Sequence, residues 1–194
     1  MFGDYIKKCS FIAGTAALML ASMGAQANLV TNGDFETGSL AGWGQSGVGN
    51  NFVSGSFDGY TPFGNFAMYM GCVGNLCGNT QTISTTAGAS YLFEFDYGSD
   101  GARPNEFIAN FGGATVFHTL NDTTNTRPGF THESFLVTAS SSSTVIEFLG
   151  RNDPAYQALD NVSVTLANQV PEPGALSLLG LGLAGLGATR RRKQ

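Results

Sequence analysis

Short runs of alternating apolar and polar residues, separated by glycine, asparagine, aspartate and proline, dominate the middle of the chain. The clearest run covers residues 91–97, where aromatic residues at odd positions share one face of an extended strand and Glu94 and Asp96 share the other. No window here shows a sustained 3.6-residue apolar period, so helices are not expected. The same pattern predicts seven further strands: 65–70, 80–84, 106–111, 115–119, 131–138, 144–149 and 159–166.

These strands predict an all-β domain over residues 28–169, long enough for a single packed core. Strands at this spacing, with turn residues between them, are typical of an antiparallel β-sandwich, and a jelly roll is the arrangement that we expect. Residues 121–129 are rich in Asn, Asp and Thr and end in Arg127-Pro128-Gly129, so we expect them to form the longest surface loop.

The N-terminal end departs from this pattern. Lys7 and Lys8 precede an apolar run over 11–23, and Ala25-Gln26-Ala27 follows it, which is the arrangement of a secretory signal peptide. We predict that residues 1–27 form this helical segment and that signal peptidase cleaves after Ala27. A buried core helix is the alternative, but it explains neither the two lysines nor the small residues.

The C-terminal end has an apolar run of its own. Residues 174–188 are fifteen uncharged residues rich in Gly, Leu and Ala, and four basic residues follow at 190–193. A helix over this run is about 22 Å long, short of a hydrocarbon core of about 30 Å. We predict a short transmembrane helix whose basic tail stays in the cytoplasm. Val170-Pro171-Glu172-Pro173 stands before it, and its prolines prevent the helix from extending backward.

This arrangement resembles the PEP-CTERM sorting signal of Gram-negative bacteria, with Pro171, Glu172 and Pro173 as its tripeptide. The resemblance implies that an integral-membrane exosortase recognises the tripeptide and cleaves there. The protein would be anchored transiently in the inner membrane and then reach the cell surface, the outer membrane or the medium. An ordinary single-span anchor is the alternative, and it would need neither the tripeptide nor so short a span. We therefore assign residues 170–194 to a sorting signal.

The net charge of the predicted domain restricts its possible partners. Between residues 28 and 170 there are three arginines, no lysine and twelve carboxylates, a net charge of −9. Such a body repels phosphate groups, so nucleic acid is excluded as a partner.

The ends of the predicted domain carry a second resemblance. Residues 28–43, which begin Asn28-Leu-Val-Thr-Asn-Gly-Asp-Phe-Glu and end at Trp43, resemble the opening of carbohydrate-binding-module jelly rolls of the galactose-binding-like type. Residues 64–69 resemble their early strand, and residues 159–164 resemble their closing strand. The resemblance implies the fold more than the activity. Trp43 is expected to be a core residue.

Asp160 is the carboxylate with the strongest structural implication. On a regular strand it shares the parity of Val162 and Val164, so we expect it to point into the core, where a carboxylate needs a partner. The resembling modules place a structural calcium ion between the opening loop and the last strand. Carried over by position, Glu36 and Asp160 would supply side-chain oxygens, Asp34 a backbone carbonyl, and Asp58 is a candidate further ligand. The alternative is an Asp160 that accepts hydrogen bonds from backbone amides of the first loop.

Cys72 and Cys77 are the cysteines that remain after removal of the signal peptide. Two cysteines this close in an exported protein predict one disulfide across a tight loop, with free thiols as the alternative.

Tyrosines are the candidate sugar-binding residues, because a sugar ring stacks on a phenol ring. We select Tyr60 and Tyr69, and expect Tyr60, which precedes Thr61-Pro62-Phe63, to be the better exposed. Ordinary packing is the alternative for each. His118 and His132 lie in β-like runs and are expected to face solvent, so catalysis has little support.

The leading hypothesis is therefore an exported, exosortase-processed, non-catalytic protein of the cell surface or the extracellular matrix. Bacteria with such sorting signals commonly make exopolysaccharide, so the resemblance implies a biofilm role with exopolysaccharide or another glycan as a partner. The alternatives are a carbohydrate-binding module with a defined glycan and a small secreted hydrolase.

Overall fold

The computed structural model describes residues 26–153 and 155–167, and these residues contain ten strands and no helix. No helix in this part could therefore cross a membrane. Of the predicted processing residues, Ala27 lies at the exposed start of the described chain, whereas Ala25, Pro171, Glu172 and Pro173 lie outside it. The strands are β1 (Gly44–Ser46), β2 (Asn50–Ser54), β3 (Ala67–Gly71), β4 (Cys77–Ser84), β5 (Ser90–Gly98), β6 (Asn105–Phe111), β7 (Ala114–Leu120), β8 (Thr131–Thr138), β9 (Ser143–Asn152) and β10 (Gln157–Leu166).

The strands form two five-stranded antiparallel sheets. Sheet A has the order β1-β4-β9-β6-β7, and sheet B has the order β2-β3-β10-β5-β8. The prediction of an all-β jelly-roll sandwich is confirmed, and each of the eight predicted strands is present. The sequence pattern missed β1 and β2, which are short and consist mainly of polar residues and glycine with few apolar side chains.

Aromatic rings fill the space between the sheets. Phe93 and Phe95 on β5 face Phe148 on β9, with ring centroids 5.7 and 5.1 Å apart. Trp43 lies over one end of this core, 6.1 Å from Phe148, and its indole N–H donates to the Asn32 carbonyl at 3.0 Å. The alternation predicted for β5 therefore produces the core, and the expectation that Trp43 is a core residue is confirmed.

A β-bulge in β10 changes the direction of Asp160. Asp160 pairs with Asp96 and Ser163 pairs with Glu94, so three steps along β10 match two steps along β5. Asn161 occupies the extra position with a φ of 49°. Val162 and Val164 point between the sheets, but Asp160 points to the outer face of sheet B. The prediction that Asp160 shares the face of Val162 is wrong, because strand parity does not continue through a bulge.

Asp160 is nevertheless fully buried, because the connection between β2 and β3 crosses the outer face of sheet B. This connection, residues 55–66, has twelve residues and is longer than the connection over 121–130, so the predicted longest loop is also wrong. Its Phe57 and Tyr60 pack on Tyr69 of β3, with ring centroids 5.2 and 6.3 Å from it. The chain thereby builds a second, smaller apolar cluster outside the main core.

Candidate functional site

A polar pocket of about 490 Å³ lies on the outer face of sheet B, where the connection between β2 and β3 does not cover it. Its other wall is the opening segment, residues 28–43, which precedes β1. The opening segment, β5, β8 and the bulge of β10 all contribute to it. Its polar lining residues are Asn28, Asn32, Asp34, Glu94, Asp96, His132, Asn161 and Ser163. Carboxylates, amides and a hydroxyl are thus presented together, with Val30, Gly33 and Val162 as the apolar part of the wall.

His132 is the cationic side chain of this pocket when it is protonated. Its Nδ1 lies 2.9 Å from Asp96 Oδ1, and its Nε2 lies 3.5 Å from Glu94 Oε1. The hydrogen bond with Asp96 raises the pKa of His132. Asn161 donates to the second oxygen of Asp96 at 2.7 Å, and Ser134 donates to Glu94 at 3.1 Å. The carboxylates of Glu94 and Asp96 are therefore held in place by neighbours on two strands, β8 and β10.

The predicted calcium residues are brought to one loop. The backbone N–H of Phe63 donates to Asp160 Oδ2 at 3.0 Å, while those of Asn65 and Phe66 donate to Glu36 Oε1 at 2.7 and 3.0 Å. Asp34 lines the polar pocket, and its Oδ1 accepts from the Glu36 N–H at 3.4 Å. The amides that Asp160 binds belong to Phe63 and Asn161, so the alternative partner set, amides of the first loop, is wrong.

The electrostatic environment of Asp160 and Glu36 favours a bound cation. The pKa of Asp160 is raised to about 7, chiefly by burial; the backbone hydrogen bonds from Asn161 and Phe63 lower it, and the charges of Asp96 and Glu36 contribute to the rise. Hydrogen bonds from Asn65 and Phe66 lower the pKa of Glu36. Within the described residues, no arginine or histidine forms an ion pair with either carboxylate. Nor do three His, Cys, Asp or Glu side chains converge there, so a metal ion would also need backbone or amide oxygens.

Asp58 does not belong to this group. Its carboxylate accepts from Arg127 and from the backbone N–H of Tyr156, the latter at 3.2 Å. Arg127 also lies 3.5 Å from Asp100 and places its guanidinium 4.9 Å from the centre of the Tyr60 ring. Asp58 therefore has its charge compensated by the arginine, and it is a poorer candidate for a calcium ligand than Asp160 or Glu36.

The two candidate sugar-stacking tyrosines are buried. Tyr60 is 1% exposed and Tyr69 is fully buried, and burial raises the pKa of Tyr69 to about 12. Their hydroxyls donate inward, that of Tyr69 to the Gly55 carbonyl at 2.9 Å and that of Tyr60 to the Tyr156 carbonyl at 3.3 Å. The prediction that Tyr60 and Tyr69 are exposed sugar platforms is wrong, because the 55–66 connection covers Tyr69 and packs its own Tyr60 against sheet B.

Phe63 is an exposed aromatic residue, next to Phe130, that the sequence did not single out. Phe63 is 52% exposed and its ring lies 5.6 Å from that of the half-buried Phe130. Phe63 N–H binds Asp160, which pairs across the sheet with Asp96 of the polar pocket, but neither Phe63 nor Phe130 is among the residues that line that pocket. The sequence signal was Thr61-Pro62-Phe63, a proline-containing stretch that lies in an irregular part of the connection.

The predicted disulfide is present. Cys72 and Cys77 are joined, with their Cα atoms 5.6 Å apart, at the connection between β3 and β4. The histidines also lie as expected: the His118 and His132 side chains are 45% and 58% exposed, on β7 and β8 of different sheets.

Comparison with known proteins identifies the C-terminal segment. The model of the PEP-CTERM protein-sorting motif matches residues 169–193, which confirms the predicted sorting signal. No curated protein matches the chain by sequence.

Solved structures share the fold of the described domain. The CBM22-1 xylan-binding domain from Paenibacillus barcinonensis Xyn10C has a TM-score of 0.52 at 15% identity, over 77% of this chain and 100% of that one. The cyclase Fisc from Fischerella sp. TAU has a TM-score of 0.54 at 18% identity, over 74% of this chain and 98% of that one. The enzymatically active domain of bacteriophage CBA120 tailspike protein 4 has a TM-score of 0.54 at 17% identity, over 72% of this chain but only 21% of the tailspike chain. The likeness confirms the jelly-roll fold of carbohydrate-binding modules.

Proposed function

We propose that this protein is exported, anchored transiently in the inner membrane and cleaved by exosortase at Pro171–Pro173, and that its β-sandwich is a non-catalytic, glycan-binding domain of the cell surface or the extracellular matrix. The sorting motif at 169–193 supports the first part. The mass of the secreted form tests it: the chain should run from Asn28 to near Pro173, and retention of residues 190–193 in the surface-exposed form would contradict it.

The observation that supports glycan binding is the polar pocket on sheet B, whose Asp96 pairs with Asp160, the carboxylate that holds the backbone of the exposed Phe63. Sugar hydroxyls pair well with carboxylate and amide groups in fixed positions, and the apolar face of a sugar ring packs on an aromatic ring. Glu94 and Asp34 supply carboxylates, Asn28 and Asn32 supply amides, and all four line the pocket. The pocket thus supplies the fixed polar groups that a sugar-binding site requires, and we propose that Phe63 supplies the stacking surface.

The charge of the site selects among glycans. The pocket holds three carboxylates, and His132, engaged with two of them, is its single cationic side chain. With a net charge of −9 over residues 28–170, the domain repels uronic acids and sulfate groups. We therefore expect neutral or amino-sugar glycans, such as xylan-type, galactan-type or deacetylated chains, to bind in preference to acidic ones.

A glycan array followed by calorimetry on the secreted domain tests this proposal. Phe63→Ala and Glu94→Gln should each weaken binding about tenfold, the loss of one stacking contact or one charge-assisted hydrogen bond. Leu136→Ala and Glu147→Gln are matched controls: Leu136 is 71% exposed on β8, and the Glu147 carboxylate accepts from Asn110 on sheet A at 2.9 Å. Equal losses in the control variants, or preferential binding of acidic glycans, would contradict the assigned site.

We also propose a structural calcium ion held by side-chain oxygens of Asp160 and Glu36 and by the backbone carbonyl of Asp34. The buried Asp160 beside Glu36, without a cationic partner among the described residues, supports a cation here. Calcium would neutralise these carboxylates and connect the opening segment to the last strand. Asp160 lies below the 55–66 connection. The calcium ion would therefore hold Phe63 in position through Asp160 and would not contact sugar.

A further inference from the structure

The two ends of the sandwich differ sharply in charge. We call one end the uncharged pole: it consists of connections 85–89, 112–113 and 139–142 together with Ala167, which follows the last strand. These residues are Ala, Gly, Ser and Thr, without a single charged side chain. The opposite end, the charged pole, consists of connections 99–104, 121–130 and 153–156 and carries Asp100, Arg103, Asp122, Arg127 and Asp153.

The uncharged pole is an ordered surface, because its connections bind one another. Gly88 N–H donates to the Ala139 carbonyl at 2.8 Å, and Thr85 N–H donates to the Ser142 carbonyl at 3.0 Å. Ala167 N–H donates to the Ser90 carbonyl at 2.9 Å, which fixes the end of the described chain at this pole. Loops from both sheets and the chain terminus therefore form one face.

The uncharged zone extends some distance up the strands. The nearest carboxylates along strands that end at this pole are Glu147 and Glu94, each four residues from the strand end at Ser143 or Ser90. At about 3.3 Å per residue this is about 13 Å, more than the Debye length of about 8 Å at physiological ionic strength. A negatively charged surface in contact with the pole would thus be screened from every one of these carboxylates.

The chain itself places this pole next to the membrane. Pro171 follows Ala167 by four residues, which span at most about 14 Å when fully extended. The charged pole is one strand length away, and the ten residues of β9 or β10 span about 33 Å. As long as the sorting segment is anchored, the uncharged pole therefore stays close to the bilayer surface, whereas the charged pole is attached one strand length farther away.

We infer that, in the anchored precursor, the uncharged pole lies against the lipid headgroups, and that the charged pole faces away from them. This inference depends on the transient anchoring implied by the sorting motif and is independent of glycan binding. The partner is a lipid surface: the pole offers hydroxyls and backbone groups to headgroups and brings no carboxylate near anionic lipid. The result is an orientation in which exosortase meets its tripeptide at the base of a folded domain.

Site-specific fluorescence quenching tests the orientation. Precursor isolated from cells without exosortase is placed in phosphatidylethanolamine–phosphatidylglycerol vesicles that contain a lipid with a quencher on its headgroup. Ala87→Cys and Ser142→Cys report on the uncharged pole, and Thr123→Cys reports on the charged pole; all three positions are exposed. Labelling without reductant leaves the Cys72–Cys77 disulfide intact. We expect several-fold stronger quenching at positions 87 and 142 than at position 123.

Two further measurements separate the possible failures. Flotation of the vesicles shows whether the precursor is anchored at all, so loss of flotation contradicts the anchoring and not the orientation alone. Ala87→Glu should reduce quenching at position 142 and high salt should restore it, whereas Thr123→Glu should change nothing. Equal quenching at both poles in floating vesicles overturns the inference. Quenching at position 142 that requires added exosortase also overturns it, because the pole would then be a protein-binding surface.

Discussion

Substitution of Asp160 by Asn tests the calcium proposal most directly, because it removes the buried charge with little change in shape. In the metal-free domain this carboxyl group has a pKa raised from 3.8 to about 7, chiefly by burial. A raised pKa means that the folded state holds the proton more tightly than the unfolded state does. The associated stability is therefore fully present below about pH 4 and is lost as the pH rises through 7.

The size of this effect follows from the shift. Raising a pKa from 3.8 to about 7 corresponds to about 4 kcal/mol at 1.4 kcal/mol for each tenfold change in proton affinity. This is an upper value, since local relaxation reduces the cost of burying a charge. Calcium at a hundredfold excess over its dissociation constant would increase the free energy of unfolding by about 2.7 kcal/mol. Both quantities are large against a typical domain stability of about 5–15 kcal/mol.

Chemical unfolding of the secreted domain at pH 5 and pH 8, with calcium or with EDTA, measures these quantities. For the wild-type domain we expect EDTA to reduce the free energy of unfolding at pH 8 and to have a much smaller effect at pH 5, where Asp160 is protonated and binds calcium weakly. Asp160→Asn should be less stable than wild type with calcium at pH 8 and no less stable with EDTA. It should not respond to calcium at either pH.

Asp34→Asn is the matched control. Asp34 is exposed, and its proposed calcium ligand is the backbone carbonyl, so this variant should keep the calcium response. An unfolding free energy that is indifferent to calcium and EDTA at both pH values would refute the calcium site. If Asp160→Asn also left the pH dependence unchanged, the reasoning from burial to a raised pKa would be wrong as well.

Three other residues or pairs give independent predictions. Arg127→Met should reduce the free energy of unfolding by about 2 kcal/mol, because it leaves two partly buried carboxylates without their cation; unchanged urea denaturation would contradict this. The hydrogen bond with Asp96 raises the pKa of His132, so its stabilisation is present below the ordinary value near 6.5 and is lost as the pH rises through the raised one. His132→Gln should therefore destabilise the domain at pH 5.5 and hardly at pH 9, with His118→Gln as the comparison, and a loss that is the same at both pH values would exclude this origin. Replacement of both cysteines of the Cys72–Cys77 disulfide by serine should reduce the free energy of unfolding by about 2 kcal/mol, which is the entropy of closing so short a loop. Two reactive thiols in the unreduced wild-type protein would show that the bond does not form.

The sequence by itself determined the features that depend on neighbouring residues. Alternation along β5 predicted which aromatic side chains form the core, since successive residues of a strand point to opposite faces. The spacing of Cys72 and Cys77 predicted their bond, and the order of tripeptide, apolar run and basic tail identified the sorting signal. Each of these signals lies within about 25 residues of chain, so no knowledge of the three-dimensional arrangement was needed.

Only the tertiary structure decided which faces are covered and which charges meet. The bulge at Asn161 depends on the register between β10 and β5, and it moved Asp160 to the opposite face. The path of connection 55–66 across sheet B buried Tyr60 and left Phe63 exposed, although the two are three residues apart. Arg127 reached Asp58 from 69 positions away along the chain. Burial and charge pairing arise from contacts between distant segments, and a local pattern of residue types does not contain that information.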